Sequence, residues 1–142
     1  MERKVMIANS KGMRAEVCTL GATLVSLFFK DKNGVEKDLV LGYDNPADYL
    51  NHTTYFGATV GRNGNRIKNG KFTLNGTEYL LEKNDGENNL HSGSKGLCYK
   101  EWEVEKETEN SVTLSSVSKD LEQGFPGTMT AKVTYAIGED NA

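Results

Sequence analysis

Hydrophobic and polar positions follow each other in short runs along this chain, and glycine, asparagine or proline separates most of the runs. Apolar or alternating runs cover residues 5–8, 13–20 and 23–29, and a further run covers residues 35–41 after the turn signal at residues 31–34. Runs of this length, punctuated in this way, are typical of β-strands. The first part of the chain is therefore predicted to form four short strands.

The same pattern predicts hairpins further along the chain. Asn75-Gly76 lies between the β-prone residues 71–74 and 77–80, and this pair favours a type I′ turn. Residues 101–108 and 112–118 predict a second hairpin, and residues 128–137 alternate most regularly of all. Asn45, Pro46 and Asp48 carry the start signals of one short helix. The sequence therefore predicts an all-β, antiparallel fold, namely a β-sandwich.

A turn signal at residues 138–141 follows the last predicted strand, and only Ala142 comes after it. A turn without a return strand is equally compatible with a truncated strand order and with a frayed tail. We expect the strand order to be truncated, so that residues 1–142 are the N-terminal portion of one β-sandwich domain.

Composition narrows the class of protein. The 142 residues are 37% hydrophobic and 26% charged, which fits one globular domain. No apolar run approaches the ~20 residues of a membrane-spanning helix, so no membrane partner is expected. No apolar segment follows the charged start, which favours a cytoplasmic location. The net charge of −3 argues against a nucleic-acid partner.

Cysteines and carboxylates suggest no metal site. Cys18 and Cys98 are 80 positions apart, and such a pair is expected to be free thiols in the core rather than a disulfide. No metal-ligand spacing is present, so no metal site is predicted. One row of acids has period two and is expected to be the solvated outer face of a strand, and its members are Glu101, Glu103, Glu105, Glu107 and Glu109.

Three polar segments could carry chemistry. Residues 61–67 contain Arg62, Asn63, Asn65 and Arg66, whose planar guanidinium and amide groups suit paired hydroxyls, although a plain basic turn would look the same. His91 lies in an Asn- and Gly-rich loop at residues 84–94, where it is either a group near a ligand or a surface histidine.

The third segment, residues 120–127, places two acids before Gly-Phe-Pro-Gly. Asp120 and Glu122 could form a carboxylate site. The alternative is an ordered loop that Phe125 anchors and whose turn Pro126 and Gly127 set.

These segments, in this order and spacing, resemble the aldose 1-epimerase (galactose mutarotase) family. The resemblance rests on Phe-Gly-Ala-Thr-Val-Gly-Arg-Asn-Gly-Asn-Arg-Ile at residues 56–67, Asn-Asn-Leu-His-Ser-Gly at 88–93 and Gly-Phe-Pro-Gly at 124–127. Residues 20–27 resemble the family's opening strand turn as well. Ser92, Leu121 and Gly64 depart from the family pattern, in which the first two positions are usually glycine and the third is commonly alanine.

The resemblance implies a galactose-mutarotase-like supersandwich and the interconversion of α and β anomers of an aldohexose, galactose or glucose, without a cofactor. Asn65, Arg66 and His91 would bind the sugar, and His91 would orient or assist the reaction at the ring oxygen or the anomeric region. The role of Arg62 stays open between sugar contact and structure.

The family's main acid and base, a histidine in an Asn-His-x-Tyr-Phe segment and a late glutamate, have no match here. Asn51-His52-Thr53-Thr54-Tyr55-Phe56 is similar to that segment but has one residue too many and directly precedes the arginine motif, so His52 is not assigned the acid role. We therefore expect the chain alone to be inactive, and to self-associate or to pair with the missing C-terminal part.

Two alternatives remain at this point. One is a non-enzymatic carbohydrate-binding β-sandwich, which would use exposed aromatic platforms. The other is a relative that acts on a hexose phosphate, which would need basic residues beyond Arg62 and Arg66.

Overall fold

The computed structural model describes residues 3–51 and 54–141, so His52 lies outside the described residues. Within these ranges the regular structure consists of strands and short 3-10 turns. The strands are β1 (Lys4–Ala8), β2 (Arg14–Cys18), β3 (Thr23–Lys30), β4 (Glu36–Asp38), β5 (Arg66–Ile67), β6 (Lys71–Leu74), β7 (Thr77–Leu80), β8 (Asn89–Leu90), β9 (Glu103–Glu107), β10 (Ser111–Ser118) and β11 (Met129–Ala136). No helix among the described residues is long and apolar enough to cross a membrane.

The first sheet is a meander in the order β1-β2-β3-β4, and all its pairs are antiparallel. Val5, Ile7, Ala15 and Val17 are buried, so alternate residues of β1 and β2 face the core as the period of two predicts. The predicted run at residues 35–41 shortens to β4. Asp38 ends it, because its carboxylate accepts the main-chain N–H groups of Leu27 and Val40, both at 3.0 Å.

The second sheet has the order β11-β10-β9, again antiparallel. β9 is an edge strand of this sheet, and the glutamates at 101, 103, 105, 107 and 109 are all exposed. Trp102 between them is buried at 1% exposure. Glu105 pairs with Lys132 at 2.6 Å and Glu107 with Arg3 at 2.6 Å. The acidic row is therefore exposed, as expected, but it does not keep to one face of the strand. A bulge in the pairing of β9 with β10 sets Glu103 opposite Ser115 and Glu107 opposite the buried Val112.

The core lies between the two sheets. Buried side chains of the first sheet pack in one cluster with Trp102, Val112, Leu114 and Ile137 of the second part of the chain. The apolar face of β11, which includes Met129, Val133 and Tyr135, is half-buried against this cluster. Removing apolar area from water supplies the main stabilisation of such a sandwich. The prediction of an all-β, antiparallel β-sandwich is confirmed.

Local predictions from turn chemistry are also confirmed. The hairpin of β6 and β7 turns at Asn75 (φ 51°) and Gly76 (φ 80°), the left-handed pair that a type I′ turn requires. The predicted helix is a 3-10 turn at Pro46–Leu50, and the Asn45 side chain caps it by accepting from the Ala47 N–H at 3.1 Å. Cys18 and Cys98 are buried, and no disulfide joins them.

Candidate functional site

The three residues expected to bind sugar lie together at one end of a ribbon of two short strands. β5 and β8 form a two-stranded antiparallel ribbon in which Arg66 is opposite Leu90 and Ile67 is opposite Asn89. Asn65 therefore precedes one strand at the same end at which His91 follows the other. The ribbon brings the arginine motif and the histidine loop, which are 26 residues apart at Asn65 and His91, into direct contact.

Hydrogen bonds through Asn65 join Arg66 to His91. The main-chain N–H of Asn65 donates to His91 Nδ1 at 2.9 Å, and the main-chain N–H of His91 donates to the Asn65 carbonyl at 3.1 Å. The Asn65 side-chain oxygen accepts from the Arg66 guanidinium at 3.2 Å. These contacts fix an amide, a guanidinium and an imidazole relative to each other, which is the arrangement that directed hydrogen bonds to sugar hydroxyls need.

No sequence pattern predicts that Asp85 takes part in this cluster. Its carboxylate accepts from Arg66 Nε at 2.6 Å, while the Arg66 side chain remains 55% exposed. Asp85 lies in a tight turn closed by reciprocal main-chain bonds with Asn88. The salt bridge holds one edge of the guanidinium and leaves much of the group open to solvent, so Arg66 can still donate to a ligand.

Tyr55 also contacts this cluster, although no sequence pattern predicts it. Its ring meets the His91 ring edge-on, with centroids 4.6 Å apart at 62°. Tyr55, Asn65, His91 and Ser92 all have left-handed φ values, between 52° and 68°. This region is uncommon for residues other than glycine and rare for a bulky side chain such as Tyr55. Sequence patterns within single loops cannot predict this contact, because the contact depends on how two separate loops pack in the folded chain.

Ser92 ties the histidine loop to the arginine motif. Its hydroxyl accepts from the Asn63 N–H at 2.8 Å and donates to the Asn63 carbonyl at 3.2 Å, and the residue is 1% exposed. The serine that stands in place of the usual family glycine therefore makes two hydrogen bonds that glycine could not make. It does so at a φ of 68°, where glycine would be unstrained.

Arg62 holds the acidic loop, which we define as residues 118–127 and which begins at the last residue of β10. Its guanidinium donates to the Ser118 hydroxyl (3.0 Å) and to the carbonyls of Pro126 (2.8 Å), Ser118 (3.0 Å) and Lys119 (2.7 Å). Four donor contacts to one loop occupy most of the five N–H groups of an arginine. In this structure Arg62 is a structural clamp, which answers the question that the motif left open.

The acidic loop is ordered by its own side chains. Glu122 forms a salt bridge with Lys100 at 2.8 Å. Burial would raise the pKa of the Glu122 carboxyl, but hydrogen bonds from Lys100 and Ser118 and the charge of Lys100 outweigh it and lower that pKa. Asp120 accepts from the Gly127 N–H, and Phe125 is buried against Phe72 with ring centroids 5.8 Å apart. These contacts favour the ordered-loop interpretation over a carboxylate site.

No group of three or more His, Cys, Asp or Glu side chains suited to a metal ion occurs within residues 3–51 and 54–141. The cluster of Asn65, Arg66 and His91 offers hydrogen-bond donors and acceptors on an open surface. Such a cluster can bind and orient a polar ligand. Proton transfer to or from that ligand would need suitably placed acid and base groups.

The family of the chain follows from its similarity to known proteins. The sequence model of the aldose 1-epimerase family matches residues 3–142. The chain belongs to the aldose 1-epimerase family. It is 42% identical over 129 residues to the galactose mutarotase of Bos taurus, covering 91% of this chain and 37% of that protein. It is 32% identical over 139 residues to the aldose 1-epimerase of Escherichia coli K12, covering 98% of this chain and 40% of that protein.

Solved structures of the aldose 1-epimerase family agree with the fold. The aldose epimerase homologue from C. elegans superposes with a TM-score of 0.96 at 38% identity, over 99% of this chain and 43% of that chain. The galactose 1-epimerase of Lactobacillus acidophilus NCFM gives 0.81 at 25% identity, over 97% and 41%. The chain thus spans about two fifths of the length of these relatives.

Proposed function

We propose that this chain supplies the Asn65, Arg66 and His91 part of a sugar site in an enzyme that interconverts the α and β anomers of an aldohexose. The single observation that carries the proposal is the hydrogen-bonded connection of these three residues through Asn65, at 2.9 Å to His91 and 3.2 Å to Arg66. Membership of the aldose 1-epimerase family supports the reaction type. We propose an aldohexose such as galactose or glucose as the substrate.

The proposed reaction is acid–base chemistry on the sugar itself. A base removes the proton of the anomeric hydroxyl while an acid protonates the ring oxygen, and the ring opens to the aldehyde. Rotation about the C1–C2 bond and closure with reversed proton transfers then gives the other anomer. Acid–base assistance contributes typically ~10²–10⁴ in rate, and positioning of the open sugar contributes further.

In this proposal Arg66 and Asn65 bind sugar hydroxyls, and His91 orients or assists at the ring-oxygen or anomeric region. The principal acid and base come from outside these 142 residues, since the family's acid and base motifs have no match here. We also propose that the chain acts in the cytoplasm and pairs with a complementary part of the fold. The half-buried apolar face of β11 supports the pairing.

A carbohydrate-binding module without activity is the less favoured alternative. Such modules commonly present exposed aromatic platforms to sugar. Trp102 is buried at 1% exposure, and its indole N–H donates to the Leu97 carbonyl at 3.0 Å. The single tryptophan of the chain therefore cannot act as a platform in this structure.

Polarimetry on freshly dissolved α-D-glucose or α-D-galactose tests whether this chain contributes sugar contacts but not the catalytic acid and base. The 142-residue chain alone is expected to leave the spontaneous rate of mutarotation unchanged, because the proposed acid and base are not among its residues. Amide spectra recorded during titration with the same sugars should shift at Asn65, Arg66 and His91.

Two results would contradict the proposal. A rate comparable to that of an intact mutarotase, from chain free of any partner, would place the base among the residues present. Unchanged amide resonances of Asn65, Arg66 and His91 at high sugar concentration would contradict the proposed sugar site.

A further inference from the structure

The His91 imidazole is held from two sides. On one side Nδ1 accepts the main-chain N–H of Asn65 at 2.9 Å. On the other side the Tyr55 ring meets it edge-on, with centroids 4.6 Å apart. Within residues 3–51 and 54–141, no protein group hydrogen-bonds to Nε2. The His91 ring is therefore held by the hydrogen bond at Nδ1 and by the contact with the Tyr55 ring.

The hydrogen bond to Nδ1 defines the tautomer of the neutral ring. A main-chain N–H can only donate, so the nitrogen that faces it must act as the acceptor. The proton of a neutral imidazole then lies on Nε2. Unlike a hydroxyl or a side-chain amide, the Asn65 N–H cannot be rotated or flipped to reverse this assignment. The free nitrogen of His91 is thus a hydrogen-bond donor.

Tyr55 occupies its place at a conformational cost. Its φ of 55° is left-handed, which a bulky residue adopts only when its surroundings hold it there. Tyr99 is part of those surroundings, with ring centroids 6.4 Å apart. Burial and, after it, a hydrogen bond with Tyr55 raise the pKa of the Tyr99 phenol. Tyr99 therefore packs against Tyr55, while the Tyr55 ring contacts His91.

We propose that Tyr55 is a positioning residue that keeps the His91 ring on the Asn65 amide, so that Nε2–H is a fixed donor toward an acceptor oxygen of the sugar. The proposal rests on the proposed function and makes it more specific, because it assigns His91 a donor role at a ring or anomeric oxygen. In this arrangement His91 does not act as the base that removes the anomeric proton. A histidine that left the Asn65 amide could exchange its proton between both nitrogens.

Nitrogen-15 spectra that correlate the ring nitrogens with the ring carbon-bound protons test this directly, because protonated and unprotonated imidazole nitrogens have well-separated shifts. The chain has two histidines, so His52→Gln leaves His91 as the only signal. In the neutral ring we expect Nδ1 to be unprotonated and Nε2 to be protonated. Tyr55→Phe retains the ring edge and should keep this pattern.

Tyr55→Ala should move both nitrogen shifts toward the average of the two tautomers. Tyr55→Leu, which keeps apolar bulk but has no ring edge, should do the same and is the variant to use if Tyr55→Ala unfolds. Tyr79→Ala is the control, since it removes a tyrosine whose aromatic contact is with Phe72, at 5.3 Å, in the hairpin of β6 and β7. It should leave the His91 shifts unchanged.

A protonated Nδ1 in the wild-type chain would overturn the tautomer assignment. A wild-type pattern in folded Tyr55→Leu would overturn the positioning role. Both readouts need no sugar, so they are independent of the proposed function. Loss of the sugar response with an intact Nε2–H pattern would contradict the sugar site alone.

Discussion

Arg62 and Arg66 lie four residues apart in one sequence motif, but their guanidinium groups have different surroundings. Arg62 is half-buried and donates to Ser118, Lys119 and Pro126 of the acidic loop. Arg66 is 55% exposed, and its protein contacts are with Asp85 and its neighbour Asn65. Both arginines belong to one motif, yet one stabilises the fold and the other remains available to a ligand.

This difference shows what a matched motif can and cannot assign. A donor that is satisfied by main-chain carbonyls has little left for a substrate, whereas a donor fixed at one edge is oriented and still available. The burial and the hydrogen bonds of each arginine separate the two roles. Substitutions at Arg62, at Ser92 and at Leu121 therefore test how each of these contacts contributes to stability.

The largest effect on stability is expected from Arg62→Ala. The substitution leaves the carbonyls of Ser118, Lys119 and Pro126 without their donor, which should lower the free energy of unfolding by about 3 kcal/mol. Chemical denaturation measures it, and Arg62→Lys is the matched control because lysine keeps the charge but cannot form the fork of hydrogen bonds. Arg62→Lys should recover only part of the loss. Wild-type stability in Arg62→Ala would contradict the clamp.

A smaller loss is expected from Ser92→Ala, which breaks the link between the two regions. The hydroxyl is buried and bonds both the N–H and the carbonyl of Asn63. Its removal should cost about 1–2 kcal/mol of unfolding free energy. Ser94→Ala, in the same loop but exposed, should change stability little. If both variants unfold alike, the Ser92 contacts do not stabilise the loop.

The smallest effect, and a gain, is expected from Leu121→Gly in the loop that Arg62 holds. Leu121 is 58% exposed and has a φ of 61°, so its side chain contributes little packing at a strained position. Relief of the left-handed strain should exceed the extra chain entropy of glycine and raise the free energy of unfolding by about 0.5 kcal/mol. Leu121→Ala keeps the strain and should give no gain. A loss of stability in Leu121→Gly would mean that φ is not the limiting factor.

Local features of this fold were predictable from the sequence, and long-range ones were not. Asn75-Gly76 determined a hairpin, and the alternation in residues 128–137 identified β11, because both signals act between near neighbours. The run at residues 35–41 gave only the three residues of β4, since Asp38 caps the strand with its side chain. Periodicity carries no information about such a competing side-chain bond.

The candidate site divides in the same way. Asn65, Arg66 and His91 were found from residue type and loop composition together with the resemblance to the aldose 1-epimerase family. The partners Asp85, Tyr55 and Ser118 were not, because each contact joins segments that are 19 to 56 positions apart. Only the paired strands and loops of the folded chain bring them together.

Sugar affinity of the two arginine variants, measured by titration with galactose or glucose in the active protein, tests the central claim most directly. Both variants are compared at a temperature at which both remain folded, with Lys71→Ala as the control for loss of an exposed, paired cation. Arg66→Ala should weaken sugar binding by roughly 10- to 100-fold, the equivalent of about 1–3 kcal/mol for a lost hydrogen-bonding partner. Arg62→Ala and Lys71→Ala should bind nearly as the wild type does. Equal affinities for Arg66→Ala and Arg62→Ala would contradict the assignment of the sugar contact to Arg66.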